Sequence, residues 1–137
     1  MLEAYKFNTQ GDVFIYAIRG EETILLQHVK NALQPLAQEI IANILAKTVG
    51  ASSLNEIGLY IGSETPGGAI VRPIIAYTLI DVDRVQFDAI FEEASFSGTI
   101  VTAEISSSIG VFAKVQGLSL TKAPTEKILI SWKIKII

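Results

Sequence analysis

Ile128, Ile130, Trp132, Ile134 and Ile136 alternate with Leu129, Ser131, Lys133 and Lys135. Successive side chains of a strand point to opposite faces, so this period of two makes one apolar face and one mostly polar face. A helix would scatter the same residues around its axis. The segment therefore predicts a half-buried antiparallel strand. A strand with one apolar face needs a second layer to bury it. Whatever else this chain does, it has to build a sheet and cover it.

Other segments carry strand signals. Asp12–Ile18 follows a Gln-Gly turn and is rich in β-branched and aromatic residues. Lys6 and Phe7 are candidates for a partner strand before that turn. Ile57–Gly62 is short and apolar, and Ser63–Gly68 is a loop signal. Ile70–Ile80 predicts a strand region with Pro73 at an edge or bulge. Arg84–Glu93 fits strand alternation through Val85, Phe87 and Phe91, and one helical face through Phe87, Ile90 and Phe91; strand is the expectation. Gly98–Ile105 and Gly110–Gln116 are two further strands on either side of Ser106-Ser107-Ser108. Leu118 and Leu120 lead into a turn at Lys122–Thr125.

One stretch reads differently. Leu26, Val29, Leu33, Leu36, Ile40 and Ile44 fall at steps of three or four, the spacing of one helical face. Glu21 and Glu22 at one end and Lys47 at the other suit the helix dipole. Gly50 is the stop, and Pro35 predicts a kink. The expected fold is α+β. A mainly antiparallel β-sandwich over 51–137 packs against an N-terminal strand and one long, Pro-kinked helix within 1–50. The 137 residues form a single domain.

Composition excludes several classes. Half of the residues are hydrophobic and 18% are charged, which argues against disorder. There is no cysteine, hence no disulfide scaffold and no thiolate metal site. A formal charge of −3 disfavours general nucleic-acid binding, which needs clustered Lys and Arg. The longest uncharged stretch, Ala94–Ala103, is too short for a membrane-spanning helix. The N-terminal residues MLEAYKFNTQ lack the apolar stretch of a signal peptide.

Chemistry-bearing motifs are sparse. His28 is the only histidine, so a zinc site has no further His or Cys ligand, and no Gly-x-Ser-x-Gly elbow accompanies it. Asp81 and Asp83 flank Val82 and could hold a divalent cation, but such a pair also ends a strand in a solvated turn. Glu92-Glu93 is read as a solvated pair. Gly62–Gly68 lacks the Gly-Lys-Ser/Thr ending of a phosphate loop. Tyr60, Tyr77 and Phe87 could stack bases, yet no basic patch surrounds them. No catalytic residue, cofactor or metal is expected.

The order of segments carries a resemblance. QEIIANILAK, then NEIGLYIGSETPGG, then VQFDAIFEEASFSGTIVTAEISSSIGVFAKV, then LTKAPTEKILISWKIKI resembles tail-collar-like domains of tailed-bacteriophage tail fibres and baseplates. It covers Ala32–Ile137. The sequence departs from the pattern at Ile105–Gly110, where the family often continues into Gly-Leu-Phe.

The resemblance implies a non-enzymatic structural component of a phage tail or baseplate, an adaptor or fibre-attachment protein. It would assemble in the host cytoplasm, reside in the virion tail, and bind other tail or baseplate proteins and copies of itself. Expected interface residues are Tyr5, Phe7, Phe14 and Tyr16 in an N-terminal docking arm and Pro66, Gly67 and Gly68 at a loop tip. The alternative is a cytoplasmic β-rich module that binds a small ligand or serves a bacterial defence system. It predicts an aromatic-lined pocket.

Overall fold

The computed structural model describes residues 9–46, 54–65 and 68–136. Its elements in chain order are β1 (Thr9–Arg19), β2 (Glu22–Lys30), β3 (Ala32–Leu33), α1 (Ala37–Ala46), β4 (Glu56–Ile61), β5 (Ile70–Pro73), β6 (Ala76–Asp81), β7 (Arg84–Phe91), β8 (Gly98–Ser106), β9 (Val111–Val115), β10 (Leu120–Lys122) and β11 (Lys127–Ile136). A single 3₁₀ turn, Glu93–Ser95, follows β7.

Every strand pairing is antiparallel, in two sheets. The first has the order β2-β1-β11-β7-β6. Its central strand is β11, the segment of regular apolar–polar alternation. Trp132 lies between Val13 and Phe87, Ile130 between Ile15 and Ala89, and Ile128 between Ala17 and Phe91. The second sheet has the order β3-β9-β8-β4-β5. Along β8, β9 pairs with Ala103–Ser106 and β10 with Gly98–Ile100.

The inner faces of both sheets contribute to one hydrophobic core. Val13, Ile15, Phe91, Ile128, Ile130 and Trp132 come from the first sheet, and Ile57, Leu59, Ile100, Ile105, Phe112 and Val115 from the second. This arrangement is consistent with a β-sandwich. The Trp132 indole is fully buried, and its Nε1–H donates to Asn31 Oδ1 at 2.8 Å. Asn31 lies directly against the Gly11 backbone, where any side chain at position 11 would collide with it.

The long N-terminal helix does not exist. Residues 22–30 form β2, which pairs with β1 through the two-residue turn Gly20-Glu21. Gly20 has φ +62°, a left-handed conformation that suits glycine in a tight hairpin. The helical spacing has a local cause. A register shift between Ile15 and Tyr16 gives β2 one extra residue, Leu26, in the pairing with β1. Leu26 and Val29 both pack on the core, three residues apart. Pro35 does not kink a helix but precedes one: α1 starts at Ala37, with the Ala37 N–H bonded to the Gln34 carbonyl at 2.9 Å. Ala37 and Ile40 anchor α1 in the core.

The Arg84–Glu93 expectation resolves as strand β7. Ile70–Ile80 is two strands, not one. Pro73 ends β5 in the second sheet, and β6 begins at Ala76 in the first.

Candidate interaction surfaces

Tyr5, Phe7, Pro66 and Gly67 lie outside the described residues. Phe14 and Tyr16 sit on the outer face of the first sheet, because Val13, Ile15 and Ala17 take the inner face. The Phe14 ring stacks on His28 with centroids 4.1 Å apart, and Lys133 Nζ lies 4.4 Å from the ring centre on its own approach. His28 Nε2 is 2.9 Å from Asp12 Oδ1. This is a four-residue cross-strand cluster whose members satisfy one another. Tyr16 pairs across strands with Leu25 and Leu129, and Leu129 with Ile90, an apolar row on the same face. Gly68 belongs to the loop between β4 and β5 in the other sheet, so the structure does not bring it to Phe14 or Tyr16.

That loop carries Glu64, which makes three side-chain hydrogen bonds to the second sheet and the residue after β9. Glu64 Oε1 accepts from Lys114 Nζ at 2.5 Å. Its Oε2 accepts from Gln116 Nε2 at 2.8 Å and from Thr102 Oγ1 at 3.2 Å. These bonds, Lys114 foremost, hold the Glu64 carboxyl below its ordinary range and raise the Lys114 amine. Beside them lies Glu104, only 8% exposed, whose carboxyl has no hydrogen bond among the described residues. Burial pushes its carboxyl up; Lys114 opposes this, while Glu64 and Glu56 add to it. Burial also raises the Tyr60 hydroxyl, with Glu104 contributing. Among the described residues, no group of three His, Cys, Asp or Glu side chains could hold a metal ion. The arrangement ties a loop to a sheet. It does not present a nucleophile with a base.

At the rim between the sheets, Lys122 is 1% exposed. Its Nζ donates to the carbonyls of Glu93 (2.7 Å), Phe96 (2.7 Å) and Ala123 (3.0 Å). Desolvation lowers its pKa, partly offset by Glu126 and Glu93. Glu126 pairs with Arg19 and accepts from the Ala123 N–H at 2.8 Å. A recess of about 500 Å³ opens here, lined by Arg19, Gly20, Ala123, Thr125 and Glu126. It contains no aromatic side chain.

The β6 edge is different in kind. It is the last strand of the first sheet. Ile75 is 59% exposed, Tyr77 53%, Leu79 71% and Val82 94%. Tyr77 and Leu79 lie opposite Phe87 and Val85 of β7, on the face turned toward the second sheet, but the second sheet does not cover them. The Tyr77 hydroxyl reaches across to the Leu54 carbonyl at 2.9 Å. Natural edge strands are usually blunted by charges; from Ile74 to Ile80 there are none. A register shift between Leu79 and Asp81 bends the end of the strand.

Asp81 ends β6 and Asp83 lies in the two-residue turn Val82-Asp83 that leads into β7. Asp81 accepts from the Val82 N–H, and Asp83 is 4.0 Å from Lys135. Glu92 and Glu93 both face Lys127. Ser106-Ser107-Ser108 enters the turn to β9, where Ser107 and Gly110 exchange backbone bonds. Sequence reasoning missed Glu64, Glu104 and the β6 edge as features of a surface. Only the uncharged run over 74–80 was available to flag the last. No helix among the described residues is long and apolar enough to cross a membrane. Comparison with family models, curated proteins and solved structures gave no match.

Proposed function

We propose that this chain is a non-enzymatic packing module, and that it works by lending the β6 edge and the β6–β7 hairpin to a protein partner. The observation that carries the reading is the run Ile75, Tyr77, Leu79, Ile80 and Val82, five large apolar side chains exposed within eight residues. Scattered exposed apolar residues are ordinary, but a contiguous set on an open edge is a docking surface. An added strand there gains backbone hydrogen bonds and buries alternate side chains.

The segment order that resembles tail-collar-like domains supports a tailed-phage tail or baseplate as the setting, with the chain acting as adaptor or fibre-attachment protein. Mass spectrometry of tailed particles purified from the culture that carries this gene tests the setting. The chain is expected in the particles in stoichiometric amount. Its absence from intact, infectious particles overturns that part of the reading. Loss of incorporation on Leu79→Lys, with the isolated variant still folded, is the expected result for the docking edge.

A further inference from the structure

The same edge identifies its occupant, an inference that rests on the docking reading of β6 and adds the partner. We infer that the partner at β6 is a second copy of this chain, paired antiparallel over Ile75–Leu79 about a twofold axis at Tyr77.

Three observations carry it. The first is the apolar pattern. Ile75, Tyr77 and Leu79 are spaced by two and are all more than half exposed; Tyr77 and Leu79 share one face of β6, and Ile75 immediately precedes the strand. Antiparallel pairing centred on Tyr77 sets Ile75 of each copy opposite Leu79 of the other. The exposed row then becomes a continuous apolar stripe, which is the self-complementarity a twofold interface requires.

The second is charge. No charged residue lies between Ile74 and Ile80, so self-pairing brings no like charges together inside the strand. A strongly acidic or basic partner strand would find no counter-charge there.

The third is at the ends. Asp81 has no cationic partner among the described residues: its Oδ1 accepts only the Val82 N–H. Arg72 has no carboxylate partner among them: its guanidinium donates to the Val71 carbonyl at 2.7 Å and to Ser95 Oγ at 2.9 Å. In the proposed register, the end of β6 that carries Asp81 comes to the end of the copy's β6 that follows Arg72. Two symmetric acid–base contacts close the interface. The bend after Leu79 limits the paired segment to Ile75–Leu79 and sets each hairpin tip beside the copy's strand rather than in line with it. The two five-stranded sheets join edge to edge.

Because the chain has no cysteine, single introduced cysteines report the register directly. On the twofold axis, residue 77 faces its own copy at a Cα separation of about 4.5–5.5 Å, within disulfide range. The experiment combines sedimentation velocity of the wild-type chain with mild oxidation of Tyr77→Cys and Val82→Cys. The wild type is expected to dimerise, and Leu79→Lys, at a site already 71% exposed, to raise the dissociation constant at least tenfold while its circular dichroism stays unchanged. Tyr77→Cys is expected to give a covalent dimer, and the more exposed Val82→Cys to give much less.

Asp81→Arg is expected to weaken the dimer several-fold, with Arg72→Glu in the same chain restoring it. A wild-type chain that stays monomeric to hundreds of micromolar overturns the proposal, as does a dimer indifferent to Leu79→Lys. Faster cross-linking at Val82→Cys than at Tyr77→Cys overturns the register. A monomer that is nevertheless incorporated into particles in a Leu79-dependent way refutes the second copy and leaves the docking edge standing.

Discussion

Glu104 and Lys122 are both buried ionisable groups, and they solve the problem of burial in different ways. Lys122 finds three backbone carbonyls and so locks the segment after β7 to the turn before β11. Removing a charged donor from buried acceptors costs roughly 1.5–3 kcal/mol. Lys122→Met should therefore lower the free energy of unfolding by about 2–3 kcal/mol, read from urea denaturation. The Glu104 carboxyl has no hydrogen-bond partner among the described residues, and burial raises its pKa above the ordinary value of 4.5. A carboxyl whose folded pKa is raised contributes stability that is complete below its unfolded pKa and is lost as pH rises through the folded value. As pH rises above the unfolded value, Glu104 therefore costs the fold stability. Glu104→Gln should raise the melting temperature at pH 7 and leave it nearly unchanged at pH 4. A variant equally stabilised or destabilised at both values would show that the carboxylate charge is not the cause. Neither role was legible in the sequence. Glu64 and Lys114 are separated by fifty positions, and no local spacing records that a loop folds back onto a strand.

β11, whose alternation is regular, was readable from sequence as a strand, and β2, with an extra residue, was read as helix. β11 pairs without a register shift to both neighbours, so its period of two survives intact. β2 carries the bulge opposite Ile15 and Tyr16, and that single residue turns a spacing of two into a spacing of three at Leu26 and Val29. Leu33, Leu36 and Ile40 then fall at helical steps by sequence, although β3, a turn and α1 hold them. The break between β5 and β6 was hidden because the run from Ile74 to Ile80 stays apolar while the chain changes sheets. The hairpin that replaces the long helix has its own test. Gly20 has open space around the position of a Cβ, so Gly20→Ala adds no clash and only the cost of φ +62°. That cost is about 1 kcal/mol. Thermal denaturation of Gly20→Ala should therefore show a loss of stability of that size.

Half of the chain is hydrophobic, and the two-sheet core does not absorb all of it. Some of the remainder forms the outer row of Tyr16, Leu25, Leu129 and Ile90, where strand neighbours shield each side chain in part. More of it is exposed on β6 and its hairpin, at Ile75, Tyr77, Leu79, Ile80 and Val82, where no other described residue covers it. An isolated molecule thus keeps an open sheet edge with an apolar row, and association removes both defects at once. This has a thermodynamic signature that needs no knowledge of the interface. A dimer that unfolds to two chains gains stability with concentration, by about 1.4 kcal/mol per dimer for each tenfold increase. Shared between two chains of this length, that corresponds to a melting temperature rising by roughly 2–4 °C per tenfold increase in protein. Leu79→Lys should abolish the dependence and leave the melting temperature near the low-concentration limit of the wild type. A slope that persists in Leu79→Lys would assign the association to another face, and the Tyr16–Leu129 row would be the next to carry a charge.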